Sequence, residues 1–184
     1  MTNQVIAKTF QLLGGLMEVH GENPYKIRSY QSAYRKLRSW EAPLSQMEDA
    51  DIAAIPGVGK AIHGKIRELL DKGQMTTLER YKTQTPEGIQ ELLQIKGLGA
   101  KKIRTIWRDL GAESPGELLY AVNENRLIEL KGFGLKTQAD IKQKLEYYQQ
   151  SKHQFHYATA LPIAEELVQY LKKQLPEGIV HLTG

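Results

Sequence analysis

Apolar residues open the chain at Val5, Ile6, Phe10, Leu13, Leu16 and Met17. Their recurrence every three or four positions predicts an amphipathic helix ending near Gly21. Asn23-Pro24 predicts a second start, a capping side chain ahead of a proline whose missing NH costs nothing at the first helical position. Ser114-Pro115-Gly116-Glu117 repeats that logic as a capping box, and Thr85-Pro86 offers a third capped start. Nearly every periodic stretch is helical. Only Gly178–Thr183 reads as a strand, following an amphipathic helix from about Pro162 to Gln174.

Between the helical stretches one short pattern recurs: an apolar residue, any residue, glycine, an apolar residue, glycine. It appears as Ile55-Pro56-Gly57-Val58-Gly59, Ile95-Lys96-Gly97-Leu98-Gly99 and Leu130-Lys131-Gly132-Phe133-Gly134. The first glycines stand 40 and 35 residues apart, so these are related modules and not a strict solenoid. Basic helical segments follow, opening at Lys60, Lys101 and Lys136.

A turn of this composition has a physical reading. The first glycine permits a backbone conformation that a Cβ disfavours, the middle apolar residue anchors the turn, and the second glycine lets an anion approach the next helix start closely. Free NH groups and the positive end of the helix dipole then face a phosphate oxygen, and a following lysine adds Coulomb attraction. Such contacts carry no base information, and cation contacts to phosphates make binding salt-sensitive. The expected backbone-binding residues are Gly57, Val58 and Gly59, then Gly97, Leu98, Gly99, Lys101 and Lys102, then Gly132 and Gly134. At the third copy Leu135 replaces the lysine or small residue of the others, and a purely structural hairpin is the alternative there.

Charge supports a polyanion as partner. Lys26, Arg28, Arg35, Lys36 and Arg38 fall between Pro24 and Trp40 without an acid among them, and Lys101, Lys102, Arg104 and Arg108 form a second cluster. Solvated helix faces are the bland alternative for either. The net charge is only +4 over 184 residues, so distribution carries more than the total. Cysteine is absent, which excludes disulfides and thiolate metal sites. The opening segment has no long apolar run, so neither a signal peptide nor a membrane span is expected. A cytoplasmic, nucleoid-associated monomer is the expectation.

These residues resemble the X family of DNA polymerases, the DNA polymerase beta group, in its bacterial form. The resemblance is carried by Gly21-Glu22-Asn23-Pro24-Tyr25 with Ile27-Arg28, by the three glycine hairpins, and by Ala160-Leu161-Pro162-Ile163-Ala164-Glu165-Glu166. It implies a mainly α fold of two small helical subdomains with helix-hairpin-helix motifs, plus the first helix and strand of an incomplete α/β palm. The implied boundaries are a lyase-like domain over 1–85, a DNA-holding subdomain over 86–152, and the start of the palm over 153–184. The implied partner is gapped or nicked duplex DNA in base excision repair. A stand-alone, non-catalytic helix-hairpin-helix adaptor is the alternative.

The resemblance also implies site residues. An alkali cation, sodium or potassium, would be held at the hairpins by the backbone carbonyls of Ala53, Ile55 and Val58, and of Leu93, Ile95 and Leu98. Lys65 falls where lyase members carry the amine that forms a Schiff base with an abasic sugar. Lys26, Tyr30 and Lys60 would line the pocket for the 5′-phosphate, with Lys60 lowering the Lys65 pKa by repulsion. Ala61 stands where the beta enzyme has a second pocket lysine, and Gly64 weakens the helix beside Lys65 by about 1 kcal/mol relative to alanine. An ordinary solvated or phosphate-contacting lysine is the alternative for Lys65, and a core tyrosine for Tyr30. Magnesium and the paired aspartates of nucleotidyl transfer belong to the palm of the parent polymerase, which is expected to continue beyond Gly184.

Overall fold

The computed structural model describes residues 1–151, 157–175 and 180. The chain is mainly α, as its periodicity predicts, and forms two compact units, Met1–Glu146 and Tyr147–Gly184. No helix among the described residues is long and apolar enough to cross a membrane.

Helix α1 (Asn3–His20) is the centre of the first unit. Ile6, Phe10, Leu13, Leu16 and Met17 are wholly buried on it, and it packs against α2 (Pro24–Arg38), α5 (Thr76–Thr83) and α7 (Ala100–Thr105). Truncating a buried ring such as Phe10 to alanine costs about 3–5 kcal/mol in sites of this kind. The helix stops where the glycine predicts. Gly21 is left-handed at φ +74°, its NH bonds the Glu18 carbonyl, and the Glu22 NH reaches back to Met17. Asn3 ties the loop after α2 to the start of α1, donating to the carbonyls of Trp40 and Ala42 and accepting from the Leu44 NH.

Two of the three sequence-read helix starts behave as expected. Asn23 Oδ1 accepts from the Tyr25 NH at 2.9 Å at the head of α2. Ser114 Oγ accepts from the Glu117 NH at 3.2 Å at the head of α8 (Pro115–Asn123), while the Glu117 carboxylate reaches one residue further out than a capping box requires, to the Glu113 NH. The third differs. Helix α6 (Glu87–Leu92) takes Pro86 as its cap, because the Thr85 hydroxyl is engaged elsewhere, by the Tyr81 carbonyl and the His20 ring.

The glycine turns join short arms. The first lies between α3 (Asp49–Ala54) and α4 (Lys60–Lys72), and the second between α6 and α7, whose path continues as a π-helical turn over Ile106–Leu110. The third turn is entered from a 3₁₀ turn, Arg126–Glu129, and leads into α9 (Leu135–Ser151). Helix α10 spans Tyr157–Gln174, so Pro162 lies inside it and not at its start. There the proline forfeits the bond its NH would have made four residues back, and its ring crowds the carbonyl at that position. The strand expected over Gly178–Thr183 lies, apart from the non-helical Val180, outside the described residues.

Candidate nucleic-acid interface

The three turns share one geometry. Gly57, Gly97 and Gly132 are left-handed at φ +90°, +82° and +87°. In each turn the next residue's NH closes onto the carbonyl three back: Val58 to Ile55 at 2.9 Å, Leu98 to Ile95 at 3.1 Å, Phe133 to Leu130 at 3.0 Å. Val58, Leu98 and Phe133 are all buried and anchor the turns from below. A β-turn with φ above zero at its third residue calls for glycine there.

The second glycines have a different reason to be glycine. Gly59 and Gly99 have φ −77° and −72° with extended ψ, a conformation open to any residue. A Cβ at Gly59, Gly99 or Gly134 would meet nothing within 4 Å. Neither conformation at the first two nor internal packing at any of the three requires glycine; beyond its modest favour as a helix cap, the missing side chain leaves the helix start open to approach from outside. Neither Gly59 nor Gly99 offers a capping side chain, and the first amides bonded back are those of Ile62 and Lys102. The amides of Gly59, Lys60 and Ala61, and of Gly99, Ala100 and Lys101, have no partner among the described residues. An exposed row of amides at a helix start is an anion-binding arrangement. Lys101 is exposed and Lys102 partly so, whereas at the third turn Leu135 is 73% exposed.

The carbonyls at the first two turns are also available. Those of Ile55 and Ile95 each accept one turn hydrogen bond and keep a second lone pair. Those of Ala53, Val58, Leu93 and Leu98 have no donor among the described residues. An all-oxygen set of this kind fits a hard cation.

Lys65 lies half-buried on α4, and its Nζ donates to Thr77 Oγ1 at 2.7 Å. Burial pushes its pKa below the usual lysine range. The Glu68 carboxylate opposes that shift, while the positive charges of Lys26 and Arg80 add to it. Lys60 is not among the groups acting on it, because five residues along a helix turn a side chain by about 140° to another face. Lys26 is exposed and pairs with Glu22 at 3.1 Å. Tyr30, by contrast, is 5% exposed with its ring stacked on Phe10 at 5.9 Å, so it belongs mainly to the core. The charge of Lys26 thus acts on Lys65, whereas that of Lys60 does not, and the Tyr30 ring is packed on Phe10.

Residues 1–75 match the family model of a helix-hairpin-helix domain, and residues 89–146 that of a SAM-like helix-hairpin-helix tandem. Over 173 residues the chain is 31% identical to the DNA polymerase/3′-5′ exonuclease PolX of Bacillus subtilis, an overlap of 94% of this chain and 30% of that protein. Over 134 residues it is 27% identical to DNA polymerase lambda of Rattus norvegicus, covering 71% and 22% respectively. The chain belongs to the DNA polymerase X family, as an amino-terminal region. It spans less than a third of the length of these two relatives.

Several residues of this X-family region escape a sequence reading. Arg80 comes from α5, whose first residues are bonded to α4 through Thr77 to Lys65 and Thr76 to Glu68, and it acts on Lys65 across that junction. Glu22 accepts from the Tyr81 hydroxyl at 2.6 Å as well as from Lys26. Both bonds hold its carboxyl below the usual range, and burial together with the Glu22 bond pushes Tyr81 up to about 12. His20, Glu22, Asn23, Arg80, Tyr81 and Gln84 line a shallow polar pocket there. His20 meets Tyr81 and Trp107 edge-on, and the Arg108 guanidinium lies over Trp107 at 4.1 Å. The run Gly21-Glu22-Asn23 was the available signal for this pocket, but nothing local announced Arg80.

Proposed function

We propose that this region holds duplex DNA by its sugar-phosphate backbone, with little base readout, and serves a gap-filling repair polymerase. The observation that carries the reading is the second glycine of each turn, which no internal contact requires and which stands beside unpartnered amides at the first two turns. Phosphate oxygens would fill those amides, Lys101 and Lys102 would neutralise charge, and sodium or potassium on the turn carbonyls would bridge turn and phosphate. The protein would work as a monomer at the nucleoid.

Gapped DNA is the favoured substrate in this reading because Lys26, Lys65 and Arg80 gather positive charge on the same unit as the turns. The lowered pKa of Lys65 suits lyase chemistry on an abasic sugar. Its neutral amine adds to the aldehyde carbon, and loss of water leaves an iminium. Removal of a proton from the neighbouring carbon then breaks the C3′–O bond and releases the phosphorylated strand, after which water returns the free lysine. Binding of labelled gapped, nicked and intact duplexes at one salt concentration tests the gap reading, and equal affinities would count against it. Borohydride trapping on an incised abasic site tests the lyase. A covalent adduct lost in Lys65→Ala supports it, and absence of an adduct in the unaltered protein removes it.

A further inference from the structure

Helix α9 leaves the third turn and crosses to the second. Lys144 Nζ lies 3.3 Å from the Gly97 carbonyl and 2.5 Å from Asp140 Oδ2, one helical turn earlier on the same face. Its Cε and Nζ sit 2.9 Å from where a Cβ on Gly97 would stand, so a side chain there would have to push the lysine aside, beyond the strain that the positive φ already imposes. Nothing comes within 4 Å of the equivalent position at Gly57 or Gly132. Among the described residues, an ammonium is therefore seated against the first glycine of the second turn and not against that of the first or third.

Its position suits an incoming phosphate. Gly99 is two residues on, and successive Cα atoms are about 3.8 Å apart, so the unpartnered amides of Gly99 and Ala100 follow within a short stretch of chain the carbonyl that Lys144 touches. An ammonium has three donors; the Gly97 carbonyl and Asp140 take two, and the side chain is 27% exposed, leaving the third for solvent or ligand. Holding the side chain in place beforehand removes much of the ordering cost that a free surface lysine meets on binding. Asp140, unpaired, would repel a phosphate at the same place.

We propose that Lys144 is a phosphate-binding residue of the second hairpin, delivered by the helix of the third. The proposal rests on the DNA-binding reading above. Affinity for a labelled intact duplex, measured by anisotropy across a potassium chloride series, tests it. Lys144→Met is expected to lower the slope of log K against log salt by about 0.9, the loss of one phosphate contact. Lys144→Arg should keep the original slope, and Lys144→Met with Asp140→Asn should keep the lowered one. An unchanged slope in Lys144→Met, with helicity retained by circular dichroism, overturns the proposal. So does recovery of the original slope in the double variant, which would mean that Lys144 only masks Asp140. Failure of the unaltered protein to bind DNA would instead sink the underlying reading and this inference with it.

Discussion

Gly59→Val separates holding DNA from holding the fold. At φ −77° and ψ 171° valine is conformationally at ease, and its Cβ enters open space. Valine is a poorer helix cap than glycine by up to about 1 kcal/mol, partly offset by the smaller entropy of its unfolded chain. The melting temperature should therefore fall by no more than about 2–4 °C. Binding should suffer far more, because the isopropyl group stands where a phosphate must approach the Gly59, Lys60 and Ala61 amides. Losing one charge-assisted contact of about 1.5–3 kcal/mol weakens affinity about ten- to a hundredfold. The control is Gly57→Ala, where φ is +90° and a left-handed alanine costs about 1–2 kcal/mol of stability in its own right. Anisotropy on a labelled duplex, paired with thermal melts of both variants, gives the two readings. Unaltered affinity in Gly59→Val would refute the assignment of this turn to DNA.

Lys101→Ala should lower the salt slope by about one unit and weaken binding to unrelated sequences alike, so a changed sequence preference would contradict backbone readout. If Lys65 is a Schiff-base nucleophile, the pH profile of borohydride trapping depends on its neighbours. Lys26→Gln or Arg80→Gln removes a positive charge, raises the amine's pKa and moves the midpoint to higher pH, whereas Glu68→Gln moves it lower; shifts of one sign for all three would refute the electrostatics. The pKa of His20 is held below 6.5 by burial and by Arg108, against the pull of Glu22. The unfolded chain then takes up a proton near pH 6.5 that the folded chain refuses until lower pH, so its contribution is present above that value and lost as the pH falls through it. Melting temperatures should drop on acidification below about pH 6.5 and do so less in His20→Gln, and identical profiles would exclude His20 as the source.

The turns were legible because what they need is local. A left-handed residue, an apolar anchor and an unobstructed helix start all lie within five consecutive positions, and the apolar-x-Gly-apolar-Gly pattern states them directly. Asn23-Pro24 was legible for the same reason. Thr85-Pro86 was not, because its hydroxyl is claimed by His20, which is 65 residues away, and by the Tyr81 carbonyl. The Lys65 environment failed in the same way: Lys60 is near in sequence, but Lys26 and Arg80 are near in space. Lys144 lies 47 residues from the turn it touches, and no periodicity could have paired them.

That division has a consequence for how binding strength is distributed. The turn amides are neutral and release no counterions, so a turn contributes affinity that changes little with salt. The lysines and arginines contribute the part that falls as salt rises. Gly59→Val should therefore weaken binding at every salt concentration by a similar factor and leave the slope intact, whereas Lys101→Ala and Lys144→Met should flatten it. On the proposed reading, the turns mark where phosphates would be held, and the salt slope would count cations. One of those cations, Lys144, is brought to the second turn only by the packing of a helix 47 residues away in the chain.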